Sequence, residues 1–404
     1  MASPSAMTEI LPRRGLDRRE VAGAFGDIGV LFPIAIALIT LNGMNPTAVF
    51  LAAGLAYILA GRYYRIPIAV EPFKAVAAIA LALSLAPTAI ASAGLLMGIL
   101  LAVIGLTNVA NWLAKLFTLP IVRGIQLGLG LLLVREGLRL LADPHSAETI
   151  GRSLRLSGWW VGLGGVAVLL AFRGSKRFPA ALVLLAAGVL AGVPAAWGRL
   201  PALQWGPLPI GFLRPQAAEL WRVVPLLVIP QFALTFGNSI VATENTARIL
   251  YGRQARRVTV RALTLSIALI NLLSATIMGS PMCHGSGGIT AHYRFGARTE
   301  RASYVIGGVC VALALFGRAA VGLLHLIPVA FLAVFLIYVG AQHGFYVRDI
   351  ARRAPWLAIA VAVGVLSLVT TNLTWGFLAG FALEGFGRLI AKLRSLRSIP
   401  RQAQ

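Results

Sequence analysis

The chain has 404 residues, of which 58% are hydrophobic and only 12% are charged, and its formal net charge is +23. This composition excludes a soluble globular protein and indicates a chain that crosses a membrane many times. Because the arginines and lysines cluster in alternate short loops, their excess follows the positive-inside pattern of membrane proteins and does not indicate nucleic-acid binding.

The first 20 residues mix acidic and basic side chains and lack the short apolar core and cleavage site of a signal peptide. Residues 1–20 are therefore predicted to form a cytoplasmic N-terminal segment. The basic stretch 392–404 is predicted to be a cytoplasmic tail, because the charge bias of the loops places both ends of the chain on the same side of the membrane.

Apolar runs follow one another from Val21 to Leu389, and each is long enough to cross about 30 Å of hydrocarbon. They predict an all-α polytopic membrane protein with about fourteen spans. The spans are placed at 21–41, 46–61, 66–85, 88–113, 118–141, 158–173, 179–197, 219–246, 261–279, 281–293, 302–317, 319–341, 356–370 and 372–391.

The third and tenth spans are interrupted by polar or turn-forming residues. The breaks lie at Glu71-Pro72-Phe73-Lys74 and at the stretch from Gly279 to Gly288. Proline removes a backbone hydrogen bond, and glycine and serine favour turns. Each span is therefore predicted to begin as extended chain and to end as half a helix, with Pro72 in the first turn of its helix.

The two halves of the chain match at a near-constant offset. The matching pairs are Phe25-Gly26-Asp27 with Phe236-Gly237-Asn238, Pro72 with Pro281, and Leu119-Pro120 with Ile327-Pro328. With seven spans in each half, the second copy runs upside down relative to the first. Proteins built from such inverted repeats bind substrate near the membrane midplane, between discontinuous helices.

Lys74 is the strongest candidate for a ligand-binding residue. A lysine at membrane depth is costly unless it faces a partner or a wet cavity. The backbone N–H groups of Phe73 and Lys74 would open a helix, and helix N-termini bind oxyanions. The alternative is that Lys74 pairs with Asp27 or Glu71 and only holds the helices together.

The second break supplies a matching half-site. Gly285 and Gly287 let the backbone approach a ligand, Ser286 adds a hydroxyl donor, and His284, next to the polar Cys283, can donate from either ring nitrogen. Together with the first break, it would clamp one anion between two helix N-termini. Close packing of helices through small residues is the alternative interpretation.

Asp27 and Asn238 occupy mirrored positions and are expected to border the same cavity, as is Gln231 on the polar flank of the eighth span. Glu244 follows on that span. A buried carboxyl group near a cation can carry a proton through a transport cycle, so Asp27 and Glu244 are the candidates for proton coupling. A structural ion pair is the alternative, and Arg123 is predicted only to pair or to reach the membrane surface.

No enzyme chemistry is predicted from this sequence. The five histidines are scattered, and HExxH, GxSxG and Walker-type motifs do not occur. Cys283 and Cys310 have neither the number nor the spacing of a disulfide framework or a metal cluster. Neither a cofactor nor a metal is expected, and energy would come from an ion gradient or from the gradient of the substrate.

Three stretches carry a resemblance to a known family: Glu71-Pro72-Phe73-Lys74-Ala75, the run from Pro230 to Ser239, and the run from Gly279 to Arg298. In these motifs the chain resembles the molybdate transporter family, a branch related to the sulfate permeases. The resemblance extends from Phe25-Gly26-Asp27-Ile28-Gly29 to the last span. One departure is visible, because Glu71 stands where a neutral glutamine is expected in this family, and an acid there would repel an anion unless protonated or paired.

This resemblance implies the fold of sulfate permeases and uracil transporters, with a core domain in 21–113 and 219–317 and a gate domain in 114–200 and 318–391. It implies a secondary transporter of molybdate, with sulfate second, that is coupled to protons and lies in the lipid bilayer of the bacterial inner membrane, with a homodimer possible. A nucleobase or organic-anion symporter of the same fold and an anion channel remain the alternatives.

Overall fold

The computed structural model describes residues 18–107, 109–114, 118–143, 148–150, 154–172, 180–196, 205–319 and 326–397. The first part of this chain forms α1 (Arg18–Ala24), α2 (Ile28–Asn42), α3 (Pro46–Tyr64), β1 (Glu71–Pro72), α4 (Lys74–Ala82), α5 (Pro87–Leu106), α6 (Val109–Ala114), α7 (Leu119–Ala142), β2 (Glu148–Ile150), β3 (Leu154–Leu156), α8 (Gly158–Phe172) and α9 (Ala180–Ala196). The second part forms α10 (Ala217–Arg257), α11 (Val260–Thr276), β4 (Met282–Cys283), α12 (Ser286–Arg294), α13 (Arg301–Leu315), α14 (Val329–Phe345), α15 (Ala354–Thr370) and α16 (Leu373–Arg397).

The protein is an integral membrane protein with a mainly helical fold. Among the described residues, four helices are long and apolar enough to cross a membrane: α3, α5, α10 and α14 with the 3₁₀ turn that follows it. A fifth span results if α1 and α2, which are bent by 40° at their junction, are counted together. Shorter apolar helices, α8, α11, α13 and α15, accompany them. The backbone hydrogen bonds of such helices are made within each helix, so the helices can lie in the lipid bilayer.

The first predicted span, 21–41, is divided into two helices. Helix α1 ends at Ala24, and α2 begins after a turn at Phe25 to Asp27. The turn passes close to α12, because a Cβ on Gly26 would lie 2.7 Å from the carbonyl carbon of Ala291. Glycine therefore permits a backbone contact that places Asp27, the residue before α2, next to the second broken span.

The two broken spans meet in a short antiparallel ladder. Strands β1 and β4 pair, with Glu71 opposite Cys283 and Pro72 opposite Met282, and the Phe73 N–H donates to the Pro281 carbonyl at 2.8 Å. The predicted extended pieces are confirmed. The predicted helix start at Pro72 is wrong, because the ladder continues through Phe73 and α4 begins only at Lys74.

Asn271 of α11 braces β4 from one side. Its Oδ1 accepts from the Met282 N–H at 3.0 Å, and its Nδ2 donates to the Met282 carbonyl at 2.6 Å. Ser274, on the same helix, donates to the Ser280 carbonyl at 2.7 Å. A two-residue strand has few ladder bonds of its own, so these side chains satisfy buried backbone groups that would otherwise lack partners.

Asn271→Ala should therefore destabilise the broken span. Each buried backbone group of Met282 left without a partner costs about 1–3 kcal/mol. We expect a lower midpoint of thermal denaturation for the purified protein in detergent. Leu269→Ala is the control, because Leu269 lies on the same helix with 51% of its surface exposed. Equal midpoints for the two variants would contradict the bracing role.

Other elements differ from the predicted spans in length. The eighth span, predicted at 219–246, is the 41-residue helix α10, which contains π-helical turns at Val224–Val228 and Thr235–Val241. The fourth, predicted at 88–113, divides into α5 and α6. Strands β2 and β3 form an antiparallel hairpin in a stretch that was placed between spans. π-Turns rotate the side chains that follow them and are frequent at functional sites.

Candidate functional site

Lys74 lies at the first residue of α4, where the two broken spans meet. It is only 5% exposed, so it faces neither lipid nor bulk solvent. Its ammonium group pairs with the Glu71 carboxylate, three residues earlier in the chain. A buried charge is tolerated when it has such a partner. The pairing that the sequence offered as an alternative is therefore present, and the cation lies at the predicted break.

The N-terminus of α4 is mostly occupied by protein groups. The Phe73 N–H belongs to the strand ladder, and the Ala75 and Val76 N–H groups donate to Oε1 of Gln231, at 2.9 and 3.3 Å. Gln231, predicted to contact substrate, instead caps this helix from α10. The expectation that Phe73 offers a free amide is wrong, because its hydrogen atom is used by Pro281.

The N-terminus of α12 is open. Gly285 precedes the helix, and the first helical hydrogen bond runs from the Ile289 N–H to the Gly285 carbonyl at 3.1 Å. The amides of Ser286, Gly287 and Gly288 therefore have no intrahelical partner, and within the described part of the chain they donate to no other group. The positive end of the helix dipole adds to these three donors, which makes this end suited to an anion.

Asn238 joins three helices beside this open end. Its Oδ1 accepts from Ser286 Oγ of α12 at 3.1 Å and from Gln126 Nε2 of α7 at 3.2 Å. Arg123 extends the chain of contacts, since it donates to Gln126 Oε1 at 2.9 Å and pairs with Asp349. The expected ligand donor Ser286 therefore has a protein acceptor. We call the contacts of Arg123, Gln126, Asn238 and Ser286 the polar bridge.

His284 is held by the protein through both ring nitrogens. Nδ1 lies 2.9 Å from the Ala69 carbonyl, so it donates, and Nε2 lies 2.8 Å from Ser266 Oγ and accepts from that hydroxyl. The expectation that His284 donates to a ligand is corrected by these contacts. Cys283 is also buried, in β4 opposite Glu71. Both residues therefore lie buried beside the site.

Asp27 and Glu71 form a buried carboxyl pair. Tyr57 Oη donates to Asp27 Oδ2 at 3.0 Å, whereas Asp27 Oδ1 and Glu71 Oε1 have no hydrogen-bond partner among the described residues. A Cβ on Gly288 would lie 2.6 Å from Asp27 Oδ1 and 2.6 Å from Glu71 Oε1, so both oxygens lie directly against that glycine. Tyr57 carries no polar pattern in the sequence that would have singled it out.

Glu244 is not brought to this group of residues. Its carboxylate pairs with Arg248 at 2.7 Å, one turn further along α10, and it is partly exposed. In the described part of the chain, no hydrogen bond or ion pair joins Glu244 to Lys74 or to the carboxyl pair. Glu244 was predicted as a proton-coupling candidate from its place in the eighth span, and the structure gives it Arg248 as its partner, which is the ion pair that the sequence left as the alternative.

Tyr346 approaches the open end of α12 from the 3₁₀ turn after α14. A Cβ on Gly287 would lie 3.2 Å from its hydroxyl oxygen, and the Arg123 guanidinium carbon lies 5.5 Å from the centre of its ring. A lysine, three amides and a tyrosine hydroxyl thus surround one small region, and such a donor set suits an oxyanion. Among the described residues, no group of three or more His, Cys, Asp and Glu side chains could hold a metal ion.

Comparison with known proteins identifies the family. The family model described as "Molybdate transporter of MFS superfamily" matches residues 19–133 and 224–342, which contain both broken spans. The chain belongs to the molybdate transporter family. Molybdate transporter 2 of Arabidopsis thaliana is 26% identical over 419 residues, covering 93% of this chain and 88% of the plant protein.

Solved structures show the fold that this member of the molybdate transporter family adopts. The transmembrane domain of a cyanobacterium bicarbonate transporter, BicA, superposes with a TM-score of 0.63 at 18% identity and covers 90% of this chain and 96% of its own. Murine Solute Carrier 26 family member A9, an anion transporter in the inward-facing state, gives a TM-score of 0.65 at 14% identity, with 94% and 69% covered. The resemblance to the sulfate permease type of fold is confirmed.

Proposed function

We propose that this member of the molybdate transporter family is a secondary active transporter of a tetrahedral oxyanion, with molybdate the first candidate and sulfate the second. The observation that carries the proposal is a buried lysine, Lys74, beside the open N-terminus of α12. The ammonium group and the amide N–H groups can both donate hydrogen bonds to a dianion, and the charges of the two partners strengthen these bonds. The family match and the anion-transporter fold support the same class of substrate.

In the proposed bound state, the anion lies at the start of α12. Its oxygens accept from the amides of Ser286, Gly287 and Gly288, and Lys74 supplies a positive charge from α4. Tyr346 closes the site from the side of Gly287. The backbone donors of the proposed site come mainly from α12, because Gln231 already accepts from the Ala75 and Val76 amides of α4.

The proposed architecture has fourteen spans in two inverted repeats. Residues 21–113 and 219–317 would form the core domain, and 114–200 and 318–391 the gate domain. Transport would proceed by alternating access, in which the core moves against the gate. The polar bridge would then cross the boundary between the two domains, since Arg123 and Gln126 lie on α7 and Asn238 and Ser286 on α10 and α12. Both termini would lie in the cytoplasm of a bacterial inner membrane, and the gate would supply a dimer surface.

Coupling to protons is also part of the proposal. The sequence offered Asp27 and Glu244 as proton carriers, and Asp27 is the one that the fold places against the lysine and its partner. A buried carboxyl group next to the substrate site can take up a proton and release it as the site changes sides. An inward proton gradient should then make the transporter accumulate its anion.

Counterflow in proteoliposomes tests the proposed function. Vesicles loaded with unlabelled molybdate should take up labelled molybdate faster than empty vesicles, and internal sulfate should support slower exchange. An inward proton gradient should produce accumulation. Conductance that does not saturate would indicate a channel, and exchange driven by uracil or bicarbonate alone would replace the oxyanion. Either of the last two results would overturn the proposal.

A further inference from the structure

We infer that Glu71 is a tethered anion that occupies the substrate site and leaves it when the Asp27–Glu71 pair takes up a second proton. This inference rests on the proposed function and names the group that links anion binding to proton binding. The inference is carried by the place of the Glu71 carboxylate, by its pairing with Lys74 and by the position of the Asp27 carboxyl group against the same glycine, Gly288.

The Glu71 carboxylate lies where a substrate anion would lie. It pairs with the Lys74 ammonium, and a Cβ on Gly285 would lie 2.5 Å from its Oε2. The carboxylate therefore lies against both the lysine and the first turn of α12, close to the open amides. It is fully buried, and its Oε1 accepts no hydrogen bond from a described residue. A negative group at this end of a helix is stabilised by the dipole.

The closeness of the Asp27 and Glu71 carboxyl groups favours a proton on one of them. Both groups lie against Gly288, and two ionised carboxylates at one place repel each other, while Lys74 balances only one negative charge. Asp27 Oδ1 likewise accepts nothing from the described residues, and Asp27 is 2% exposed. The pair therefore holds one shared proton and one negative charge, and that charge is balanced by Lys74.

Other titratable groups around the pair are already engaged or uncharged. Tyr57 donates to Asp27, and the His292 ring, which packs edge-on against Tyr57, donates through Nδ1 to the Gly23 carbonyl. His343 donates to the Val339 carbonyl. The other titratable side chains that interact electrostatically with the pair or with Lys74 are Cys283, His284 and Tyr346. Lys74 is thus the cation that the tethered carboxylate and the substrate share.

The transport step follows from this competition and conserves charge and protons. One proton from the medium joins the singly charged pair, and both carboxyl groups become neutral. The neutral Glu71 then no longer competes for Lys74 and the α12 amides, which bind the oxyanion from the side on which the proton entered. When the anion leaves on the other side, one proton leaves with it and Glu71 returns to Lys74. The empty site is then electrically neutral, because the negative charge of the carboxyl pair balances Lys74. A neutral site can move through the low-dielectric membrane at a lower energetic cost.

Binding measured against pH tests the inference. Molybdate affinity of the purified wild-type protein should rise as pH falls, by up to about tenfold per pH unit for one linked proton. Glu71→Gln keeps the shape of the side chain, and its carboxamide can donate to Asp27, but the competing charge is removed. We expect this variant to bind molybdate more tightly than wild type at neutral pH and with a flatter pH dependence. It should still exchange molybdate in counterflow but accumulate less under a proton gradient.

Asp27→Asn provides the opposite arm. Its carboxamide can donate to Glu71 permanently and removes the negative charge of residue 27, which favours the ionised form of Glu71 on Lys74, so molybdate binding should weaken. Weaker binding in both variants, with the wild-type pH slope kept, would assign the carboxyl groups a structural role and overturn the inference. Failure of the wild-type protein to bind or exchange any oxyanion would instead overturn the proposed function.

Discussion

Lys74→Ala is expected to abolish molybdate uptake in proteoliposomes. The variant removes the buried cation that lies beside the α12 amides, and a hydrogen bond to a charged group contributes about 1.5–3 kcal/mol. Molybdate binding by the purified variant should therefore weaken by roughly 10- to 100-fold or more. Arg352→Ala, at an exposed arginine in the turn before α15, should leave uptake and binding as in the wild type.

Loss of Lys74 also leaves Glu71 buried without its cation, which destabilises a protein by about 3–5 kcal/mol when the charge is kept. The double change Lys74→Ala with Glu71→Gln removes both charges and separates folding from recognition. It should elute as a monodisperse species with a denaturation midpoint close to wild type, yet it should not take up molybdate. Normal uptake by this double variant would show that the anion is recognised elsewhere.

Gly288→Ala should disable the proposed anion site with a single added methyl group. The added Cβ would lie 2.6 Å from Asp27 Oδ1 and 2.6 Å from Glu71 Oε1, and it would also contact the Ala69 side chain. Separations this short force the carboxyl pair or the helix end to move. Because displacement of a recognition group by about 1 Å costs on the order of 100-fold, uptake should fall by at least that factor.

The matched control for this change is Gly308→Ala. Gly308 also lies within a helix, α13, but a Cβ there would meet nothing within 4 Å. Alanine has the higher helix propensity, by about 1 kcal/mol, so the control should be at least as stable as wild type. Comparable loss of uptake in both variants would mean that helix flexibility, and not crowding at the carboxyl pair, explains the effect.

The sequence was sufficient to place the broken spans. Proline and the glycine cluster act on the local backbone, and this is why Glu71–Pro72 and Met282–Cys283 could be predicted as extended pieces before half-helices. Burial of Lys74 could also be predicted, since a lysine in an apolar run must find a partner. These features depend on residues that are neighbours in the chain, and local chemistry is what a single sequence shows most directly.

The partners of the site residues could not be predicted in the same way. Gln231 caps α4 from more than 150 residues away, and the two ring nitrogens of His284 are hydrogen-bonded to Ala69 and Ser266. Gln126 is one polar residue in a long apolar helix, and only the packing of α7 against α10 brings it to Asn238. Such contacts are decided by how helices rotate about their axes, which the apolar runs of a buried bundle do not specify.

The pairing of β1 with β4 has a consequence for how cargo travels. The two broken spans are joined by backbone hydrogen bonds and clamped by Asn271, so Lys74 and the α12 amides keep their spacing as long as that ladder holds. An anion bound there would move together with the residues that bind it and would keep the same hydrogen-bond donors throughout the transport step. At equal pH its affinity would then be the same facing either compartment, and the direction of net flow would depend only on the gradients of the anion and of protons.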